Sequence, residues 1–313
     1  MAGFTENVVV TAHGKVNLHL GVGDARPDGY HELVSVFQSL SLQDKVSISI
    51  TDTGTSVCSL DVDGPRSVPR DNSNLAWKAA ESVMDAYRNR GHVDFPGVAI
   101  HIQKGIPTAG GMAGGSADAA ATLRAMESVL SPVYGPLGND TLYDLACQLG
   151  SDVPFTLMGG TMLGTGRGER LVPVLSKGTY HWVLALNSKG LSTPVVFQKL
   201  DAMRAERALP RAGRPDAMLA ALAQGNVVEV AALLTNDLQA PALSLLPELR
   251  RTLAVGTSAG ALTGIVSGSG PTCAFLCSDA SSAVDVADAL MDDGVTSAVT
   301  VATGPAAGVV VKG

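Results

Sequence analysis

The chain has 313 residues, long enough for two compact domains and a sizeable core. Hydrophobic residues make up 46% and charged residues 16%, which excludes a disordered chain, and no run of about 18 apolar residues offers a membrane span. A formal net charge of −7, with no basic stripe interleaved with aromatics, argues against nucleic acid as a partner.

The opening MAGFTENVVV lacks the basic start and apolar core of a signal peptide, so a cytoplasmic protein is expected. None of the four cysteines, Cys58, Cys147, Cys273 and Cys277, forms a C-x-x-C pair, and no zinc pattern surrounds CAFLC. Reduced thiols follow, with Cys273 and Cys277 packing on one face of a strand.

In chain order, VVVTAHGKVNLHLGV and LVSVFQSLSLQDKVSISI read as strands around a turn at RPDG. NSNLAWKAAESVMDAYRNR places Leu75, Ala79, Val83 and Tyr87 on one helical face, with Asn or Ser as cap and Gly91 as stop. VAIHIQ is a strand leading into a glycine loop. SADAAATLRAMESVL is a buried helix carrying Ala119, Leu123, Met126 and Leu130, and TLYDLACQLG is a third helix. GGTMLGTGRGERLVPV reads as a hairpin and HWVLALN as a strand; from about Asp201 to Met218 an Arg- and Pro-rich stretch reads as a solvated connection. Helical runs follow, then strands at GIVSGSG and CAFLC, a helix through AVDVADALM, and a closing strand TSAVTVAT. The βαβ rhythm of this tail suits a small α+β domain. The domain boundary is expected near residue 170, giving segments 1–170 and 171–313.

The stretch GIPTAGGMAGGSADAAATL, Gly105 to Leu123, joins a strand, a glycine turn and a helix start. Glycines let backbone N–H groups converge on phosphate oxygens, and the helix N-terminus adds partial positive charge. Ser116 sits at the helix start, where its hydroxyl can donate or reach a metal. The spacing Gly110 to Gly115 fits a Walker loop, but Ser116-Ala117 follows where Lys is needed, and no register gives G-x-G-x-x-G. The pattern that fits is P-x-x-G-G-[LM]-x-G-G-S-x-x-A-A, which resembles the nucleotide loop of the GHMP kinase superfamily. GKVNLHL resembles that superfamily's first motif and VSGSGPTCAF, 266–275, its third. RPDGYHELVSVFQSLSLQD and GSDVPF resemble the branch whose members phosphorylate a cytidine diphosphate-linked polyol of the non-mevalonate isoprenoid pathway.

The resemblance implies a two-domain α+β fold, with an N-terminal domain of the ribosomal protein S5 domain 2 type, a ferredoxin-like C-terminal domain and a cleft between them. It implies ATP as phosphoryl donor, held by Pro107, Thr108, Ala109, Gly110, Gly111, Met112, Ala113, Gly114, Gly115, Ser116 and Ala117. Ala109, Met112, Ala113 and Ala117 stand where Gly, Leu, Gly and Ser are commoner in the family. Lys15 matches the catalytic lysine and Asp152 the catalytic carboxylate that orients and deprotonates the acceptor hydroxyl. Taken alone, Lys15 would be a snorkelling strand lysine and Asp152 a turn aspartate. Asn17 follows Lys15 on the same strand face, within reach of the acceptor polyol. Tyr30 matches a ring that stacks on cytosine, His31 the reader of its edge, Phe197 its second face, and Thr193 a nearby polar contact. Asn74 and Lys104 align with positions near adenine. No carboxylate set has metal-ligand spacing, so Mg2+ is expected with ATP rather than in a protein cage. Asp118, in the first turn after the loop, reads as a complement to the helix dipole.

The resulting expectation is phosphorylation of the 2-hydroxyl of the cytidine diphosphate-linked small molecule. The alternatives are another GHMP kinase, acting on homoserine, mevalonate or a sugar, and an inactive nucleotide-binding module. DGYH argues against the first and the pair Lys15 and Asp152 against the second. The sequence leaves the oligomeric state open.

Overall fold

The computed structural model describes residues 3–108 and 110–312. Two long strands, β1 (Asn7–Ala25) and β2 (His31–Thr51), pair antiparallel across the turn that carries Tyr30. β3 (Val57–Asp63) follows, then α1 (Leu75–Arg88), β4 (Gly97–Gln103), α2 (Gly114–Tyr134) and α3 (Asn139–Leu149). A short α4 (Val153–Met158) leads to the hairpin β5 (Thr161–Gly166) and β6 (Arg170–Pro173). These strands form one sheet, in the order β1-β2-β4-β3, with β5 on β2 and β6 on β5. α1 and α2 cover it with an apolar layer that includes Ala79, Val83, Leu123 and Met126.

The second half begins with β7 (Tyr180–Leu186), followed by α5 (Thr193–Glu206), α6 (Asp216–Gln224), α7 (Val227–Leu233) and the two-residue β8 (Thr235–Asn236). α8 (Gln239–Leu245), α9 (Leu249–Ser258), β9 (Thr263–Val266), β10 (Cys273–Cys277), α10 (Ala280–Asp293), β11 (Ala298–Gly304) and β12 (Val310–Lys312) complete the chain. A four-stranded antiparallel sheet has the order β11-β7-β10-β9 and its own core, with Val183, Val196, Leu200, Phe275 and Val286. β8 and β12 return to pair with β1 in the first sheet. This is a two-domain α+β architecture. The strand set changes over between Pro173 and Tyr180, and the final strand crosses back.

Local chemistry accounts for most elements. Asn74 caps α1 by accepting from Ala76 N at 2.9 Å. The α1 face buries Ala76, Ala79, Ala80, Val83, Met84 and Tyr87. Three expectations are corrected. The connection expected over 201–218 is helical as far as Glu206, because Val196, Leu200 and Met203 recur at helical spacing into the second core. β3 was not expected, since an irregularity between Val57 and Ser59 breaks its alternation. TSAVTVAT is not the last strand, as β12 follows it. Cys273 and Cys277 are buried in β10, and desolvation pushes their thiols up to about 12 and about 11, as suits core packing. No described helix is long and apolar enough to cross a membrane.

Candidate active site

The β1–β2 pairing breaks register between His13 and Lys15 and again between Asn17 and His19. Such irregularities re-aim side chains, and here they flank Lys15 and Asn17. Lys15 is only 5% exposed, and a buried ammonium needs partners. Its Nζ donates to Asn17 Oδ1 at 2.7 Å, lies 3.8 Å from Asp152 Oδ2 and stands 5.8 Å from the centre of the Phe37 ring. Asn17 Nδ2 donates to Ser35 Oγ at 2.8 Å, and that hydroxyl donates to the His19 carbonyl, so the amide orientation is fixed. Asn17 is thereby tied to Lys15.

Asp152 comes from 137 positions further along the chain. α3 ends at Gly150, and Asp152 occupies the N-cap position of α4 without making a capping hydrogen bond. Its carboxylate, about one-third exposed, turns to Lys15 instead.

The glycine loop is hung from the same strand, because Lys15 N donates to the Met112 carbonyl at 3.2 Å. Gly111 has φ +70°, and a Cβ there would collide with the Ser267 carbonyl of the β9–β10 turn. Ala113 is also left-handed, at φ 60°, and no side chain caps the 21-residue α2 that starts after it. Its first N–H groups are therefore free to meet an anion. Gly111 and Ala113 line the cleft that holds Lys15 and Asp152. Thr108 and Gly115 are exposed; Pro107, Gly114 and Ser116 are partly covered. Gly110, Met112 and Ala117 are buried, so these three offer backbone groups only. Ala109 lies outside the described residues.

At the other end of the cleft, Tyr30 is 55% exposed, with the Arg167 guanidinium 5.2 Å from its ring centre. His31 is buried, its ring 5.0 Å from that of Phe197 at a tilt of 39°, and its Nε2 lies 2.9 Å from Asp201 Oδ1. Thr193 Oγ1 and Ser269 Oγ are hydrogen-bonded at 2.8 Å, joining α5 to the third motif. Thr193, Phe197 and Asp201 recur every four residues and so share the cleft-facing side of α5, opposite the buried Val196, Leu200 and Met203. Lys15, Asp152, Tyr30, His31, Thr193 and Phe197 all line one cleft of about 680 Å³.

Asn74 and Lys104 have engaged side chains. Asn74 caps α1 and donates from Nδ2 to the Pro69 carbonyl. Lys104 is buried between Asp44 and Asp118, 2.7 Å from the latter, while Asp44 Oδ1 accepts from Gly105 N and Ile106 N. Asp118 therefore clamps the loop rather than only complementing a dipole. Burial pushes its carboxyl up to about 8, against the pull of Lys104 and with the push of Asp44. Arg167 and Asp201 escaped the sequence reading; one sits in a turn and the other in a stretch read as connection.

The family model described as GHMP kinases N terminal domain matches residues 74–160, and that described as GHMP kinases C terminal matches 218–295. A 4-diphosphocytidyl-2-C-methyl-D-erythritol kinase from Nocardia farcinica is 55% identical over 301 residues, 96% of this chain and 95% of its own length. The chain belongs to the 4-diphosphocytidyl-2-C-methyl-D-erythritol kinase family of the GHMP kinases. Another member of that kinase family, from Corynebacterium efficiens, is 52% identical over 306 residues, covering 96% of this chain and 95% of its own. A crystal structure of a 4-(cytidine 5'-diphospho)-2C-methyl-D-erythritol kinase superposes with a TM-score of 0.75 at 32% identity, covering 95% of this chain and 99% of that one.

Proposed function

We infer that this chain transfers the terminal phosphoryl group of ATP to the 2-hydroxyl of 4-diphosphocytidyl-2-C-methyl-D-erythritol, within the non-mevalonate route to isoprenoid precursors. The observation that carries this reading is the Lys15–Asp152 pair, 3.8 Å apart, in a cleft whose far end bears Tyr30, His31 and Phe197.

Phosphoryl transfer asks for in-line positioning and neutralisation of charge on the equatorial oxygens, with little covalent work for the protein. Asp152 orients the acceptor hydroxyl and receives its proton. Lys15, held by Asn17, sets positive charge beside that carboxylate and the transferring group. The loop backbone from Gly110 to Ser116 and the uncapped start of α2 hold the phosphates of ATP. Magnesium arrives with ATP as part of that substrate; among the described residues no three His, Cys, Asp or Glu side chains gather into a cage for it. Tyr30 and Phe197 supply faces for the cytosine, His31 reads its rim, and Thr193 gives a polar contact. The domain division near residue 170 fits the change of sheets between β6 and β7. A cytoplasmic setting, with ATP at hand and thiols reduced, suits this activity.

Phosphate transfer from radiolabelled ATP, assayed with the cytidine diphosphate-linked methylerythritol, homoserine, mevalonate and a hexose, tests the reading. Turnover with the cytidine compound alone is the expected result. Preference for another acceptor would replace the substrate assignment, and no transfer to any acceptor would leave a nucleotide-binding module.

A further inference from the structure

His31 has two ring nitrogens, and the protein commits one of them. Nε2 meets Asp201 Oδ1 at 2.9 Å. A carboxylate offers acceptors only, so this nitrogen carries the hydrogen. In the neutral ring Nδ1 is then a bare acceptor, and among the described residues no protein group is hydrogen-bonded to it. The ring is 7% exposed and packs at 5.0 Å against Phe197, so it is not free to turn over and exchange its nitrogens. Asp201 is itself fixed in place. Its helix α5 is anchored one turn later, where Arg204 pairs with the buried Asp237 at 3.1 Å and donates to the Gly23 carbonyl of β1.

We propose that Asp201 is a specificity-determining positioning residue: by keeping the hydrogen on Nε2 of His31, it presents Nδ1 as an acceptor for the amino group of cytosine. The inference rests on the cytidine reading above. Cytosine carries an exocyclic amino donor where uracil carries a carbonyl acceptor. A fixed acceptor at that position forms a hydrogen bond with the first base and faces an oxygen lone pair on the second. Selection of this kind is steep, because the wrong base leaves polar groups unpaired in a closed site. An ion pair serving only to hold α5 would not depend on which imidazole nitrogen bears the hydrogen.

The test compares Asp201→Asn and Asp201→Glu with the unaltered protein. Asparagine can either accept from or donate to Nε2, so it frees the choice of tautomer; glutamate keeps an acceptor-only partner. Specificity is read as the ratio of kcat/KM for the cytidine diphosphate-linked substrate to that for its uridine counterpart. The hydrogen is located by 15N chemical shifts of the His31 ring in histidine-labelled protein, assigned with His31→Gln. We expect the ratio to fall about ten- to a hundred-fold in Asp201→Asn and to recover largely in Asp201→Glu, with the KM for ATP as internal control. The His31 signals should pass from a single Nε2–H form to a mixture. An unchanged ratio in a folded Asp201→Asn, or an Nδ1–H form in the unaltered protein, overturns the proposal. If His31→Ala erases discrimination while Asp201→Asn keeps it, the cytidine reading stands and only the role of Asp201 falls. If the unaltered protein accepts both bases equally, both readings fall together.

Discussion

Asp152 sits at a helix N-cap without capping it, which leaves both carboxylate oxygens for the cleft. Asp152→Asn keeps the shape of the group and removes its charge and basicity. Turnover should drop by about 10²–10⁴-fold, with ATP still bound in calorimetry. Lys15→Ala should lose a similar factor, because it leaves Asn17 Oδ1 and Asp152 without their buried cation. Near-normal turnover in either folded variant would remove that residue from the chemistry. Tyr30 tests the opposite end of the cleft. Its ring is more than half exposed, so truncation costs the fold little. Stacking of a base on an aromatic ring is worth about 1–3 kcal/mol, so Tyr30→Ala should raise the KM of the cytidine substrate about ten-fold or more. ADP affinity, measured in parallel, should stay where it was.

The glycine loop and α2 behave as one element, braced at both ends. The β9–β10 turn supports Gly111, whose positive φ and contact with the Ser267 carbonyl exclude a side chain. Gly115, in the first turn of α2, has room for a Cβ, which would meet only Leu75 Cδ1 at an ordinary 4.0 Å. Gly111→Ala should therefore lower both thermal stability and nucleotide affinity. Gly115→Ala should keep or raise stability, by about 0.5–1 kcal/mol from helix propensity, while weakening ATP binding through crowding of the phosphates. If Gly115→Ala bound ATP normally, the phosphates would lie elsewhere. At the other end, Asp44, Lys104 and Asp118 lock the loop stem to β2. Burial raises Asp118 to about 8, so between about pH 4 and pH 8 the folded state holds a proton that the unfolded chain has released. Stability from this group must fall as pH rises through that window and level off above it. Asp118→Asn should flatten that slope, read from urea unfolding at pH 5 and pH 8; an unchanged slope would show that the carboxyl is already ionised at pH 5.

Across the whole molecule, Asp237 joins three parts. Its carboxylate accepts from Val22 N of β1, from Arg204 of α5 and from Ala212 N of the connection after α5. The helix that bears Thr193, Phe197 and Asp201 is thereby fixed to the strand that bears Lys15 and Asn17. Removing one partner of such a buried pair strands the other, at about 3–5 kcal/mol. Asp237→Ala should lose stability on that scale in denaturant unfolding. It should also raise the KM of the cytidine substrate without moving that of ATP, because α5 carries Phe197 and Asp201 and no part of the glycine loop. Equal changes in both constants would instead point to general loosening of the fold.

The glycine loop, the helix after it and the long strands were legible in the sequence, because each depends on local chemistry. Glycine spacing, helical periodicity and the apolar run around Lys15 are properties of a few adjacent residues. The motifs carried the family, since the order GKVNLHL, loop, VSGSGPTCAF needs no coordinates to read. Other features belong to distance. Asp201 lies 170 positions from the His31 it holds, and its helix was hidden by the charges of Arg204, Glu206 and Arg207 that end it. Asp152 is a turn residue by local chemistry, a catalytic carboxylate only through the family motif, and the fold sets it 3.8 Å from Lys15. Lys104 changes from a candidate adenine contact into the centre of a buried triad, and β8 and β12 return from the second half of the chain to pair with β1. A side chain's partner is fixed by packing between elements, and no local pattern encodes which distant element will arrive. The sequence alone determined the glycine loop and the family; tertiary packing decided which charges face one another and which nitrogen of His31 meets Asp201.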